Sequence, residues 1–175
     1  FTALLTYIMK DIEIVLENLA SHGIKPDQAQ KIFLETFINF DSRYRSSTIF
    51  RKQSGFGSIY LWGPVGRGKT LLLQSIANSY FENIGIFHFL EFMQLIHLKL
   101  SKLESIKNPL PQVAKNISKN YRVIFIDEFQ VEDIADAMII GLIIQSLYDN
   151  GVRIMLSSNA APNHLYKDGL QRDKF

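Results

Sequence analysis

Hydrophobic positions recur every three or four residues near the start of the chain, between Leu4 and Leu19 and again after Pro26. This spacing places the apolar side chains on one side of a helix, and proline favours the first helical turn. We therefore predict two amphipathic helices in this region. The predicted apolar face of the second helix consists of Ala29, Ile32, Phe33 and Phe37.

The stretch from Asp41 to Gly57 is polar and basic, and hydrophobic periodicity is weak there. Such a composition is typical of a connector. We therefore divide the chain into a helical N-terminal segment with its connector, residues 1–54, and a second domain, residues 55–175. The basic residues of the connector are Arg43, Arg45, Arg51 and Lys52. They can contact nucleotide or nucleic acid, although a solvated linker is the simpler interpretation.

After the connector, short apolar runs alternate with longer helical patterns. The runs are rich in Ile, Val, Phe and Tyr and comprise Ser58 to Trp62, Ile86 to Phe89, Val123 to Ile126 and Arg153 to Ser157. The helical patterns are Lys69 to Tyr80, Phe92 to Leu103, Leu110 to Lys119 and Asp136 to Tyr148. This alternation predicts an α/β fold with three αβα layers, in which a parallel sheet is covered by helices on both faces.

A glycine-rich loop lies between the first predicted strand and the first helix of this alternation, with the spelling Gly63-x-x-x-x-Gly68-Lys69-Thr70. In such a P-loop, backbone N–H groups and the helix N-terminus hold phosphate. Lys69 is expected to reach the β- and γ-phosphates and Thr70 to bind Mg²⁺, whereas an ordinary glycine turn is the alternative. The predicted nucleotide-binding residues are Gly63, Pro64, Val65, Gly66, Arg67, Gly68, Lys69, Thr70 and Leu71.

Two carboxylates, Asp127 and Glu128, directly follow the apolar run that begins at Val123. Ligands of parallel sheets bind at the carboxyl ends of the strands, so both acids are expected near the P-loop. We predict that Asp127 binds Mg²⁺ together with Thr70 and that Glu128 orients or deprotonates the attacking water. Acids in this position can instead cap a helix or face solvent.

Two further residues are candidates for catalysis beside Lys69 and Glu128. Asn159 follows the last predicted strand, where a polar side chain can position the attacking water; a turn before Pro162 is the alternative role. Arg172 can reach the γ-phosphate of a neighbouring subunit as an arginine finger, or form a surface salt bridge. The finger interpretation implies a homo-oligomer.

Other side chains point to structural roles. His88 and His97 are nine residues apart and have no cysteine or acid at ligand spacing, so we predict no metal site there. We expect His88 to form bonds within its domain and His97 to face partners or solvent. Tyr60 and Trp62 are predicted to pack within the first strand rather than stack on a base.

Composition removes several classes of function. The 175 residues include no cysteine, which excludes disulfides and thiolate chemistry. The longest apolar runs, such as Ala137 to Ile144, are far shorter than the roughly 18 residues that cross a bilayer. Association with the surface of a membrane remains compatible with this composition. A net charge of +2 is too small to indicate nucleic acid, so we expect none as a partner.

The longer context of these residues resembles the ZapE family of AAA+ ATPases, which includes a bacterial cell-division ATPase and its mitochondrial relatives. The resemblance covers about Ser58 to Phe175. It is carried by the stretches Leu61 to Thr70, Asp127 to Met138, Ser158-Asn159 and Leu165 to Arg172. Two positions depart from the family pattern: Pro64 stands where glycine is usual, and Leu90 stands in place of a histidine.

This resemblance implies an AAA+ P-loop fold that uses ATP and Mg²⁺, and it strengthens the finger role of Arg172 in a ring of subunits. In AAA+ proteins a fifth strand and a helical lid follow, so we expect both to be missing from this stretch. The implied function is an ATPase that remodels a protein partner. In bacteria that partner is the tubulin-like division-ring protein of the cytoplasm, and in eukaryotes the role is quality control in the mitochondrial matrix.

Two other functions share the same core. A nucleic-acid-handling ATPase of the helicase-loader kind would use the basic connector on phosphates. A nucleotide-gated interaction module would bind ATP with little hydrolysis and switch partners by ordering loops. We rank both below the ATPase, because the P-loop, acid pair, Asn159 and Arg172 form a complete hydrolytic set.

Overall fold

The computed structural model describes residues 2–47, 57–103 and 106–166, with side chains within 11–41, 57–79, 81–103 and 106–166. The helices in these ranges are α1 (Thr2–Ser21), α2 (Gln28–Ser47), α3 (Lys69–Tyr80), α4 (Phe89–Ser101), α5 (Leu110–Ser118) and α6 (Ile134–Asp149). The strands are β1 (Ile59–Trp62), β2 (Ile84–His88), β3 (Val123–Asp127) and β4 (Arg153–Ser158), and a short 3₁₀ turn follows at Pro162–His164.

The four strands form one parallel sheet in the order β1-β4-β3-β2. Strand β3 is central, and its five residues are all buried because helices cover both faces of the sheet. All carboxyl ends of the strands therefore lie along one edge. The predicted α/β fold with a parallel sheet is confirmed.

Side chains of β3 alternate between two hydrophobic cores. Val123 and Phe125 face the layer of α1, α2 and α3, whereas Ile124 and Ile126 face the layer of α4, α5 and α6. The N-terminal helices thus cover the same face of the sheet as α3. These contacts fix the position of α2 relative to the loop that precedes α3.

The predicted connector begins later in the chain than expected, because α2 continues through Asp41 to Ser47. Asp41 was interpreted as the start of a polar connector, but its carboxylate is fully buried and its Oδ1 lies 2.5 Å from Nη1 of Arg153. The predicted apolar face of α2 is also partly wrong, since Ala29 is exposed and Ile32 is 54% exposed. Among residues 28–41 of this helix, whose side chains the structure describes, the buried residues are Leu34, Phe37, Ile38 and Asp41.

Helix caps explain two further differences, at the starts of α4 and α6. Helix α4 begins at Phe89 rather than Phe92, because the His88 N–H donates to Oε2 of Glu91 at 3.0 Å and so caps the first turn. Helix α6 begins at Ile134 rather than Asp136. Its cap is Asp133, whose Oδ1 accepts from the N–H groups of Ala135 and Asp136 at 2.7 and 3.3 Å.

Candidate nucleotide-binding site

The glycine-rich loop connects the carboxyl end of β1 to the first turn of α3. Gly66 and Gly68 have φ angles of 80° and 72°, in the left-handed region that favours glycine. Gly68 is the N-cap of α3, so the helix N-terminus opens directly onto the loop. This arrangement has the geometry of a phosphate-binding loop.

Lys69 bridges the glycine-rich loop and the end of β4. Its Nζ donates to the carbonyls of Gly63 and Pro64 at 2.8 and 2.9 Å and to Oδ1 of Asn159 at 2.9 Å. Three acceptors thus surround the ammonium group. Asn159 is 90 residues away in sequence, so the fold brings two predicted site residues into direct contact.

Asp127 ends β3 and is buried, with 5% of its surface exposed. Its Oδ1 accepts a hydrogen bond from Oγ1 of Thr70 at 2.8 Å and another from Oγ of Ser157. Hydrogen bonds to a charged carboxylate are stronger than neutral ones. The first turn of α3 is therefore tied to β3 through the two residues predicted to bind Mg²⁺.

Glu128 follows Asp127 but lies in a different environment. Its side chain is exposed, and its φ of 52° is in the left-handed region that non-glycine residues rarely adopt. The Glu128 N–H donates to Oγ of Ser157 at 3.3 Å, and the next N–H, of Phe129, donates to the Ser157 carbonyl at 2.7 Å. These bonds hold the turn that directs the two adjacent carboxylates apart.

A cavity of about 410 Å³ opens beside Glu128 at the carboxyl ends of β2, β3 and β4. Its lining includes His88, Glu128, Glu132 and Asn159. The predicted catalytic acid and amide therefore share one solvent-accessible space. Water can reach both side chains there.

Ser157 and Ser158 are site residues that the sequence did not single out for a role. Ser157 links Asp127 to the Glu128 turn, while Oγ of Ser158 donates to the Phe129 carbonyl at 2.7 Å. The Ser158 carbonyl accepts from the Gly63 N–H at 3.2 Å. The signal that identifies them is a pair of hydroxyls directly after the apolar, buried run of residues 154–156 in β4.

Tyr60 and Trp62 differ, although both were predicted to pack within β1. Tyr60 is half-buried, packs edge-on against Phe129, and donates from its hydroxyl to the Ala160 carbonyl at 2.7 Å. Burial raises the pKa of Tyr60 above its ordinary value.

Trp62 is instead 54% exposed, so the packing prediction for it is wrong. Its ring lines an open cavity of about 770 Å³ together with Asn159 and the turn around Pro162.

The first turn of α2 also contacts the glycine-rich loop, which the sequence interpretation missed. Nε2 of Gln30 donates to the Arg67 carbonyl at 2.9 Å, and Oδ2 of Asp27 lies 3.6 Å from Nη2 of Arg67. The spacing Asp27-x-x-Gln30 is a capping signature at a helix start. It marks the helix start in the sequence, but not the loop that the helix contacts.

The remaining predicted residues fall into two groups. Val65 and Leu71 are exposed beside the loop, so their side chains are available to a ligand. Arg172 lies outside the described residues, and the described side chains include none of Arg43, Arg45, Arg51 or Lys52. Their predicted roles stay predictions.

The histidines form no metal cluster with neighbouring acids. Within residues 11–41, 57–79, 81–103 and 106–166, no group of three or more His, Cys, Asp or Glu side chains is arranged to hold a metal. His97 instead contacts Asp136, with 3.2 Å between Nε2 and Oδ1. None of the described helices has the length and apolar character that a bilayer crossing requires.

Comparison with known sequences identifies relatives over most of the chain. The sequence profile of the AFG1-like ATPase family matches residues 13–175. The cell division protein ZapE of Escherichia coli K12 is 37% identical over 128 residues, which cover 71% of this chain and 33% of that protein. Lactation elevated protein 1 homolog B of Danio rerio is 38% identical over 129 residues, covering 66% and 25%. The chain thus spans about a third of the bacterial relative.

Comparison with solved structures supports the same fold. AMPPCP-bound DnaA from Aquifex aeolicus superimposes with a TM-score of 0.55 at 18% identity, covering 87% of this chain and 44% of DnaA. DnaI superimposes with a TM-score of 0.53 at 22% identity, covering 87% and 79%. Both are P-loop AAA+ proteins, and at these identities the likeness concerns the fold alone.

Proposed function

Since this chain belongs to the AFG1-like ATPase family, we propose that it binds ATP with Mg²⁺ at the glycine-rich loop and hydrolyses it. One observation supports this above all: the loop, the end of β3 and the end of β4 meet at one edge of the sheet. The contacts that join them are Thr70 to Asp127 at 2.8 Å and Lys69 to Asn159 at 2.9 Å.

Lys69 is proposed to bind the β- and γ-phosphates. Its ammonium group now donates to two backbone carbonyls and one amide oxygen, all of which are neutral acceptors. Charged phosphate oxygens are stronger acceptors than carbonyls. Lys69 therefore exchanges the carbonyls of Gly63 and Pro64 for phosphate when nucleotide enters, while Asn159 stays close to the transferred group.

Thr70 and Asp127 are proposed to hold Mg²⁺. A hydroxyl and a carboxylate are hard oxygen donors of the kind that Mg²⁺ prefers, and sites of this type need few protein ligands because phosphate and water complete the shell. Mg²⁺ held by these two residues would neutralise charge on the phosphates. Ser157 would keep the Asp127 carboxylate in place while the Thr70 hydroxyl turns towards the metal.

Glu128 is proposed as the general base. It accepts a proton from a water molecule whose oxygen bonds to the γ-phosphorus, while the bond between that phosphorus and the bridging oxygen breaks and ADP leaves. The exposed Glu128 carboxylate and Asn159 border the same cavity, which gives water access to both. Asn159 would orient the water as its proton moves to Glu128.

The roles beyond hydrolysis concern partners. We propose that the full-length protein assembles into a ring in which Arg172 reaches a neighbouring γ-phosphate, and that turnover remodels a protein partner. The name of the E. coli relative favours a partner in cell division, with the tubulin-like division-ring protein as the first candidate. A bacterial protein of this kind would act in the cytoplasm, and a eukaryotic one in the mitochondrial matrix.

Nucleotide binding by the full-length protein tests the proposal. Lys69→Ala should weaken Mg²⁺–ATP binding by about 10- to 100-fold, because it removes a charged contact to the phosphates. Lys115→Ala is the matched control, since Lys115 is an exposed lysine on α5, away from the loop. Calorimetric titration of both variants provides the measurement. Equal ATP affinity in the two variants would remove Lys69 from the site.

A further inference from the structure

Helix α2 contacts the backbone of the nucleotide-binding loop through the side-chain amide of Gln30. Nε2 of Gln30 donates to the Arg67 carbonyl at 2.9 Å, and 37 residues separate the two in sequence. Gln30 is half-buried between the helix and the loop. The contact joins the N-terminal helices to the backbone of the phosphate-binding loop itself, rather than to a side chain that can turn away.

The Gln30 amide is held at both ends. Its Oε1 accepts from the Asp27 N–H at 2.9 Å, and Oδ1 of Asp27 accepts from the Gln30 N–H at 2.8 Å. This reciprocal pair is a capping box at the start of α2. Because the amide oxygen is engaged by the helix, the amide nitrogen faces the loop, so the amide orientation follows from its bonding partners.

This contact fixes one peptide plane of the loop. In a trans peptide the carbonyl and the following N–H point in opposite directions, so a bond that draws the Arg67 carbonyl towards α2 turns the Gly68 N–H away from α2. The N–H groups of such loops are the groups that hold phosphate. A Cβ added at Gly68 would lie 2.8 Å from Nε2 of Gln30, which shows how closely the helix approaches.

Helix α2 is itself anchored to the sheet. Leu34 and Ile38 are fully buried in the core that also contains Val123, Phe125 and Met155 of the sheet, and Asp41 pairs with Arg153 at the start of β4. From Gln30 to Asp41 the helix rises by about 16 Å. It therefore connects the beginning of β4, through Asp41, to the phosphate-binding loop, through Gln30.

We infer that Gln30 is a positioning residue of the phosphate-binding loop, which holds the Arg67–Gly68 peptide in the orientation that binds nucleotide. The inference rests on the proposed ATP-binding function. It assigns the N-terminal helices a part in nucleotide affinity in addition to their packing against the sheet.

Three variants of the full-length protein separate the loop contact from the helix cap. Gln30→Ala removes both, whereas Gln30→Glu keeps the capping oxygen and removes the donor to Arg67. Gln28→Ala is the control, because Gln28 is an exposed glutamine in the same helical turn. The measurements are ATP affinity by titration, hydrogen exchange of peptides covering residues 63–70 without nucleotide, and the melting temperature.

Both Gln30 variants should weaken ATP binding by about 3- to 10-fold, as expected for one neutral hydrogen bond, and exchange faster at the loop. Gln28→Ala should match the parent in both. A lower melting temperature for Gln30→Ala, with loop exchange and ATP affinity unchanged in both variants, would reduce Gln30 to a helix cap and overturn the inference. If the parent protein binds no ATP, the proposed function fails, and loop exchange still decides whether Gln30 positions the loop.

Discussion

Asp127 and Glu128 are neighbours in sequence, yet they occupy opposite environments. Asp127 is buried and accepts hydrogen bonds from two hydroxyls, whereas Glu128 is exposed and borders a cavity. Glu128 also has a left-handed φ of 52°, so the chain turns directly after Asp127. Hydrogen bonds thus fix the position of the Asp127 carboxylate, whereas the Glu128 carboxylate is accessible to water.

The contrast extends to the rest of the site. Buried polar groups, such as Ser157 and the Asp41–Arg153 pair, fix one element of the fold to another. Glu128 and Asn159, by contrast, are exposed at the opening of the site, so the packing of the core does not depend on their side chains. Substitutions of the buried groups should therefore change stability, and those of the exposed catalytic groups should change turnover alone.

The largest expected effect is on turnover at Glu128. Glu128→Gln should lower kcat by about 100- to 10,000-fold through loss of the general base, with ATP affinity and melting temperature near those of the parent. Glu132→Gln is the matched control, because Glu132 is an exposed acid that borders the same cavity. Phosphate release at saturating ATP provides the measurement. Parent-like turnover of Glu128→Gln would exclude Glu128 as the base.

Asp41→Ala should have the largest effect on stability. It leaves the largely buried Arg153 guanidinium, whose side chain is 12% exposed, without its carboxylate, and breaking such a pair costs about 3–5 kcal/mol. Chemical denaturation of the full-length protein measures the loss, and Glu35→Ala, an exposed acid of the same helix, should lie close to the parent. If both variants unfold alike, the buried pair does not anchor α2.

Ser157→Ala should have an intermediate effect. Without the Ser157 hydroxyl, Asp127 loses one hydrogen-bond donor and the Glu128 N–H loses its acceptor. We therefore expect the free energy of unfolding to fall by about 1–3 kcal/mol. The Mg²⁺ concentration needed for half-maximal turnover should also rise. Ser101→Ala, which removes an exposed hydroxyl on α4, provides the comparison. An unchanged Mg²⁺ requirement would separate Ser157 from the metal site.

The smallest effect is expected at the exposed Asp27–Arg67 pair, whose side chains are 49% and 61% exposed. Asp27→Asn keeps a capping oxygen and removes the charge, so stability should fall by about 0.2–1 kcal/mol. Because salt screens exposed charges, the difference should shrink as ionic strength rises. A difference that persists at 1 M salt would show a contribution other than charge attraction.

Local patterns were sufficient to predict much of this molecule. The bounds of α3, Lys69–Tyr80, follow directly from the loop and the apolar spacing after it, and the central burial of β3 follows from its unbroken apolar run. The convergence of Lys69, Asp127 and Asn159 was also predictable. Parallel strands place their carboxyl ends at one edge, so residues that follow different strands meet there.

What the sequence did not reveal depends on contacts distant in the chain. Asp41 resembles a solvated residue unless its partner Arg153 is known, and the cap at Gln30 gives no sign of the loop that lies against it. The exposure of Trp62 is equally invisible, because an aromatic residue ending an apolar strand is typical of a core. Each of these features is set by tertiary packing rather than by periodicity.

Mg²⁺-dependent phosphate release from ATP by the full-length protein most directly tests whether this site hydrolyses ATP. Parent and Lys69→Ala proteins would be compared across a Mg²⁺ titration, with EDTA as the zero point. We predict release that rises with Mg²⁺ and saturates in the parent, and no release above background in Lys69→Ala. Release that is equal in the two proteins, or that persists in EDTA, would contradict hydrolysis at this loop.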